Sequence, residues 1–305
     1  MGATMAARMN SFTSSPSSLD ADGLAALQAW QGRSETLHDE ITAAPLRALS
    51  ATLDRDDAAP DAGTRLPELW HWLYFLPHHR QSEIGPDGHA RRGGFLPPVP
   101  LPRRMWAGGR FAWASGHPLR VGDAVRRVST IDSVTHKAGR SGALVFVCVK
   151  HEVHNAQGLA LTEEHDIVYR AVAAPDEAAP APTPAPTDAA FSRTVVPDDV
   201  LLFRYSALTF NGHRIHYDRR YVTEVEGYPG LIVHGPLIAT LLVDLLRRER
   251  PDAVLSHFEF RAVRPTFDTA PFRLHGRPEA DGKTFHLWGE DADGWLTMSA
   301  TATLA

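Results

Sequence analysis

LFRYSALTFNGHRIHYDRRYVTEVEGYPGLIVHGPLIATLLVDLL, residues 202–246, is the stretch that decides the reading of this chain. From His234-Gly235-Pro236 onward, Leu237, Ile238, Leu241, Leu242, Leu245 and Leu246 recur at helical i, i+3/i+4 spacing. Gly235 followed by Pro236 opens a helix well, because proline's missing N–H costs nothing at the first helical position. Upstream, Thr209-Phe210-Asn211-Gly212-His213-Arg214-Ile215-His216-Tyr217-Asp218 is loop-like and dense in polar and titratable groups. A histidine-bearing bend thus precedes the N-terminus of an apolar helix. Free N–H groups and the helix dipole at that end suit a developing negative oxygen.

Composition narrows the classes around this stretch. The 305 residues are 43% hydrophobic and 22% charged with net charge −5, a globular balance that gives no support for nucleic-acid binding. No apolar run approaches the roughly 18 residues a membrane span needs. The lone Cys148 lies in an apolar run and reads as a buried small hydrophobe in a reducing compartment. Residues 1–21 are expected to be a disordered tail. The first nineteen lack acids, carry Arg8 and are rich in serine, weakly like an organelle transit peptide. The expected location is cytoplasmic, or the mitochondrial matrix if that segment is a targeting signal.

Residues 22–54 read as helical, through Leu24, Leu27 and Trp30 and then Ile41, Leu46 and Leu49. Residues 66–76, LPELWHWLYFL, are expected to form a core helix, matching the place of the Gly235 helix. Residues 78–109, rich in glycine, proline and arginine, form a loop long enough to be functional. Strands are expected over 111–113, 123–137, 143–153 and 159–172. Residues 173–190 alternate alanine with proline and read as an extended, semi-rigid linker. Beyond it, strands are expected over 253–263, 272–279, 284–291 and 295–304. The linker divides the chain into halves, 22–172 and 191–305, that repeat one order of elements.

The run from Tyr205 to His216 resembles the hydratase motif of the MaoC-type hotdog enzymes, with an aromatic followed by A-x-L-[ST]-G-D-x-N-P-[LIV]-H. His216 falls on the catalytic histidine and Asn211 on the catalytic aspartate. Phe210, Asn211, His213 and Arg214 depart from the usual Gly, Asp, Asn and Pro. Those departures are similar to a branch holding 3-methylfumaryl-CoA (mesaconyl-CoA) hydratases and mitochondrial 3-hydroxyacyl-thioester dehydratases. There S-A-L-T-F-N-x-H-R-I-H-Y-D and E-G-Y-P-G-L-[IV]-V-H-G-P-L recur. The resemblance implies an α+β double hotdog: two curled antiparallel sheets, each around a central helix, with chemistry in the second half. It also implies an acyl-CoA substrate, no cofactor beyond the CoA carried by that substrate, no metal, and a homodimer of double hotdogs.

Hydration of a double bond conjugated to a thioester needs a base for water, an acid for the α carbon and donors for the enolate oxygen. His216 is the candidate base and the Gly235 N–H the candidate enolate donor. Asn211 can only orient water or substrate, so either His216 acts alone or another carboxylate serves. Asp218 is the nearest, and it equally suits a turn cap or an ion pair with Arg219 or Arg220. Tyr205, His213, Tyr221 and His234 are candidate substrate contacts. Arg261 and Arg264 are too, with Arg264 suited to a carboxylate or phosphate, and Arg91, Arg92, Arg103 and Arg104 are candidates for CoA phosphates. The expected reaction is hydration of 3-methylfumaryl-CoA to citramalyl-CoA. Itaconyl-CoA hydration and 3-hydroxyacyl-thioester dehydration stay open, as do a hotdog thioesterase and a non-catalytic acyl-CoA-binding protein.

Overall fold

Every face of the Gly235 helix is covered, and the rest of the molecule follows from how that is achieved. The computed structural model describes residues 20–139, 142–171 and 181–305. Residues 1–19 of the expected 1–21 tail, the tip of the 137–142 turn and residues 173–180 of the linker lie outside the described residues, while Asp20 and Ala21 cap and begin the first helix.

In chain order the elements are α1 (Ala21–Gln28), β1 (Ser34–Glu40), α2 (Ala43–Thr52), β2 (Arg103–Trp113), β3 (Ala124–Gly139), β4 (Gly142–Asn155) and β5 (Gly158–Arg170). Then come β6 (Phe191–Val195), α3 (Asp199–Leu208), α4 (Arg219–Glu224), α5 (Gly235–Glu249), β7 (Leu255–Ala262), β8 (Phe272–Pro278), β9 (Thr284–Glu290) and β10 (Leu296–Leu304). The strands make one ten-stranded sheet in the order β1-β3-β4-β5-β2-β7-β10-β9-β8-β6, all pairings antiparallel. Its first five positions come from before the linker and its last five from after it. The seam is β2 on β7, registered from Gly108↔Arg261 to Ala112↔His257. A Cβ at Gly108 would press on the Phe260 carbonyl, so this seam needs glycine where β2 bulges after Trp106.

On α5, Leu237, Ile238, Leu241, Leu242, Leu245 and Leu246 are buried, as their spacing predicts, and so are Thr240 and Asp244 on the remaining face. Phe272, Leu274, Phe285, Leu287, Met298 and Ala300 from the sheet and Leu46, Leu49 and Trp70 from the first half share one core with it. Burying each such leucine contributes on the order of 2 kcal/mol. Asp244, 1% exposed, accepts from Arg55 (2.6 Å), Arg193 (2.9 Å) and Arg248 (2.8 Å), joining α5 to the first half and to β6. A smaller core forms farther along the first-half strands, where Leu27 of α1 joins Val99, Ile131, Val145, Val147 and Tyr169.

Two expectations are corrected. Residues 22–54 are not continuously helical: Gly32 turns the chain at φ 79° and β1 pairs with β3 from Ser34↔Thr130 to Glu40↔Ala124. Nearly all β1 side chains are exposed, so its backbone pairing has no hydrophobic signature. Residues 66–76 hold only a short 3₁₀ turn, Trp70–Leu73, because Leu69 (φ 68°) and Phe75 (φ 55°) are left-handed and interrupt any helix. The segment is nonetheless core, with Leu69, Trp70, Leu73 and Tyr74 buried. The described part of the linker is extended and lies on the edge of the β9–β10 turn, where Leu296 N–H donates to Thr183 at 2.8 Å and Ala185 N–H to Gly294 at 3.0 Å.

Candidate active site

The bend after α3 is built by local hydrogen bonds. Phe210 turns the chain in the left-handed region at φ 51°. The Asn211 side-chain oxygen accepts from His213 N–H at 3.0 Å, an Asx turn that throws the chain into the 3₁₀ turn Arg214–His216. Asp218 then caps α4 by accepting from Tyr221 N–H at 3.0 Å and pairs with Arg214 at 2.8 Å. Of the two roles open to Asp218, the structure thus gives it the cap and an ion pair, with Arg214 rather than Arg219 or Arg220. Backbone hydrogen bonding and the Arg214 guanidinium hold its carboxyl below the usual carboxylate range.

His216 is 8% exposed and lies at the end of this bend. Its Nδ1–H donates to the Ile232 carbonyl at 2.7 Å, which fixes the tautomer and leaves the Nε2 lone pair free. Burial pushes the imidazole down to about 4, against a smaller opposing effect of the Ile232 hydrogen bond. It is therefore neutral and able to accept a proton at any pH near 7. Its ring stacks on His234 at 3.8 Å and 17°, and His234 is the residue that precedes α5. The bend and the helix start are thereby brought side by side. A Cβ built on Gly235 meets nothing within 4 Å, so there is open space beside the first residue of the helix. Pro236 has no N–H, which leaves Gly235 and Leu237 as the donors there.

The other sequence candidates divide. Tyr205 is buried with its ring edge-on to His234 at 5.1 Å, and burial pushes its phenol up. His234 is fully buried, its Nε2 2.8 Å from the Ser206 hydroxyl and its Nδ1 without a partner among the described residues. Burial, and then the neighbouring His216 and His213, hold it well below the usual histidine range. His213 stands 5.4 Å from His216, ring to ring. Tyr221 turns away from the site, its hydroxyl donating to Glu226 at 2.9 Å beneath the Arg214 guanidinium. Arg264 reaches Asp291 at 3.2 Å, and Arg261 is exposed on β7, so neither guanidinium is brought to His216 by any described contact. Arg92 is engaged by the Val99 and Pro102 carbonyls and Arg103 by Glu226, which leaves neither free for a CoA phosphate.

The sequence marked the 78–109 loop and its arginines, but not the aspartate and histidine that this loop brings to the site. Residues 84–90 form a tight hairpin with Gly85 N–H donating to His89 at 2.6 Å. It lies directly on the bend: Arg214 N–H donates to the Asp87 carbonyl at 2.9 Å and the Arg214 guanidinium to Pro86 at 2.9 Å. A Cβ at Gly88 would overlap the Gly212 carbonyl, so only glycine allows this approach. The hairpin brings His89 to 3.9 Å from His213, ring to ring. Both oxygens of Asp87 are engaged by His89, at 3.1 Å to its N–H and 3.2 Å to Nδ1. The signal available was an Asp-Gly-His triplet within a long Gly/Pro-rich loop already read as functional.

The hydroxyacyl-thioester dehydratase type 2 family model matches residues 69–268. A mesaconyl-C(4)-CoA hydratase of Chloroflexus aurantiacus is 50% identical over 279 residues, covering 90% of this chain and 97% of that protein. A mitochondrial hydroxyacyl-thioester dehydratase type 2 of Schizosaccharomyces pombe is 27% identical over 280 residues, covering 83% of this chain and 91% of its own length. Among solved structures, HtdX of Mycobacterium tuberculosis superposes with a TM-score of 0.62 at 20% identity over 90% of this chain and all of that one. A second M. tuberculosis protein, described as a double hotdog, gives 0.54 at 13% identity over 90% of this chain and 96% of that one. The sheet of two five-stranded halves is accordingly a double hotdog. With the match running from the first half through the bend and α5 of the second, the chain belongs to the hydroxyacyl-thioester dehydratase type 2 family.

Proposed function

We propose that this protein is a hydro-lyase that adds water across the double bond of a short, branched, dicarboxylic enoyl-CoA, with 3-methylfumaryl-CoA hydrated to citramalyl-CoA as the leading substrate. The observation that carries the reaction type is the His216 imidazole. Its Nδ1–H is committed to Ile232, its Nε2 is free, and it is stacked on the residue that opens α5. In this reading His216 Nε2 takes a proton from water as the water oxygen bonds to the β carbon. The electron pair of the double bond moves into the thioester, and the oxygen anion so formed is met by the Gly235 N–H at the positive end of α5. Asn211 has its carboxamide oxygen engaged by His213 N–H, so it holds the bend in shape and handles no proton.

The substrate class is supported by the 50% identity to a mesaconyl-C(4)-CoA hydratase along nearly its whole length. Dehydration of a 3-hydroxyacyl thioester is the same chemistry run backwards, and the 27% identical dehydratase supports it at lower similarity. Thioester hydrolysis by an acidic residue in the bend is disfavoured, because Asp218 is tied to Arg214 and to the α4 cap.

A paired assay tests this reading. Purified protein is given mesaconyl-, itaconyl- and crotonyl-CoA while enoyl absorbance and free thiol are followed together. Loss of absorbance without thiol, fastest on mesaconyl-CoA, is expected. Thiol release would make the protein a thioesterase, and no change with any substrate would make it a non-catalytic binder.

A further inference from the structure

Hydration consumes two proton positions: one where water is activated and one where the α carbon gains hydrogen. His216 accounts for the first. For the second, Asn211 carries no titratable proton, Asp218 is an ion-paired cap, and His234 lies behind His216 against Ser206. What faces the open side of His216 is His213 and, beyond it, His89 of the first half. The rings run in series, His89 to His213 at 3.9 Å, His213 to His216 at 5.4 Å and His216 to His234 at 3.8 Å.

His89 differs from the other members of this row in having a carboxylate. Asp87 holds its Nδ1 at 3.2 Å and so directs Nε2 away from the hairpin. A carboxylate on Nδ1 stabilises an imidazolium and fixes the tautomer of the neutral ring, which is what a group alternating between acid and base requires. The hairpin itself is clamped by the Arg214 contacts and the Gly88–Gly212 approach, so His89 is held rather than loosely draped.

We infer that His89, oriented by Asp87, is a second catalytic residue that delivers and removes the proton at the α carbon, and that the first half thereby supplies the acid–base function that Asn211 lacks. In the hydration direction His216 Nε2 gains the proton of water as the C–O bond forms at the β carbon. The enolate then collapses, its electron pair forms a C–H bond at the α carbon, and the proton comes from His89 Nε2. Water has been divided as OH and H. His216 ends protonated and His89 neutral, and the proton returns between them through His213, which stands in the gap, or through solvent. Burial holds the His89 imidazole below the usual histidine range, the Arg104 guanidinium adds to that, and Asp87 opposes both, so the resting ring is biased toward the neutral form and the carboxylate is what supports the imidazolium when a proton is delivered. The same residues, Asp87, His89 and His213, place donor atoms within 4.8 Å of one another, so a divalent cation is the competing occupant. With both Asp87 oxygens engaged by His89, acid–base use is favoured.

This inference rests on the hydratase reading, and the experiment separates the two. Full-length wild type, H89Q, D87N and H216Q proteins are assayed for hydration by enoyl absorbance. Each is also incubated with the hydrated acyl-CoA in D₂O, and deuterium at the α carbon is read by mass spectrometry. H89Q is expected to lose about 10²–10⁴-fold in both assays, the span of a positioned acid–base group. H216Q is expected to lose hydration while α-exchange persists, because forming the enolate does not require the water base. D87N, a positioning change, should shift the pH profile of kcat and be milder than H89Q. H89G regaining activity with added imidazole would mark a proton-transfer role that a fold defect cannot mimic. H89Q exchanging and hydrating within about threefold of wild type would overturn the inference. So would loss of exchange in H216Q equal to that in H89Q, or stoichiometric zinc bound by wild type and lost in H89Q. A wild type that hydrates nothing overturns the function reading, and this inference with it.

Discussion

Acidification should destabilise this protein well before its carboxylates titrate, because several histidines are buried as neutral rings. His216 and His165 are pushed down to about 4 and His151 to about 3, in each case chiefly by burial. In the unfolded chain each would titrate near 6.5, so between roughly pH 6.5 and pH 4 the unfolded state binds more protons and stability falls as pH falls. Taking the medium from about pH 7 to about pH 5 costs about 2 kcal/mol for each such ring, and about 4 kcal/mol for the three after discounting the partial exposure of His151 and His165. Glu163, hydrogen-bonded to His71 at 2.9 Å, has its carboxyl held low despite burial and adds its own loss only further down, through the carboxylate range. Against a total stability of about 5–15 kcal/mol, a loss of that size is plainly measurable. Urea titrations followed by tryptophan fluorescence at the two pH values should show the midpoint falling at constant m. The variant H165F, which keeps an aromatic ring against Trp106 (3.9 Å), should remove the share of the pH dependence that His165 carries, about 1 kcal/mol over this range. A stability change below about 1 kcal/mol over this range, or an unaltered slope in H165F, would refute the claim that these rings are neutral in the native state.

Three further outcomes follow from single contacts. Asp244→Ala leaves Arg55, Arg193 and Arg248 around an empty buried position and should cost about 3–5 kcal/mol in urea unfolding. Gly88→Ala forces the hairpin off the bend and should reduce turnover at least tenfold, while the urea midpoint changes little because the clash lies outside the main core. Phe210→Gly relieves a left-handed phenylalanine that is 55% exposed, with its ring set edge to face with His78 at 5.9 Å. The expected result is a gain of up to about 1 kcal/mol, read as a higher melting temperature, with turnover unchanged.

How far the sequence could be read depended on where each element finds its partners. Helix α5 was legible because Leu237 to Leu246 carry the helical period, and β3, β4 and β5 because valine and isoleucine runs end at glycine turns. Strand β1 was hidden because it pairs through its backbone with side chains mostly in solvent, and no periodicity marks that. The segment 66–76 was misread because an apolar run states that a stretch is buried, not what shape it takes. Its shape is set by left-handed Leu69 and Phe75, residues that local preference would never place there. In the site, His216 and Gly235 stand in one short run, so their meeting was foreseeable. The Ile232 carbonyl that sets the tautomer, and the Asp87–Gly88–His89 hairpin, were not. His89 and His213 are far apart in the chain, and such a contact is specified by packing of the whole fold rather than by local pattern.

That distance explains why the chain needs both halves for one reaction. Among the described residues only the second half has a buried central helix; in the first, the irregular segment around Trp70 lies against that same helix, with Arg247 of α5 over the indole at 5.4 Å. The halves therefore share a core rather than each enclosing its own, and the β2–β7 seam stacks Phe111 on Phe260 across it at 6.2 Å. A shared core fixes the position of the first half's loops relative to the second half's bend as firmly as neighbouring strands fix each other. A loop so fixed can hold a histidine 3.9 Å from another that lies over a hundred residues away, at the precision proton transfer needs. Under the proposed role of His89, the first half presents that loop in place of an acid at Asn211, and the second half keeps its amide to shape the bend.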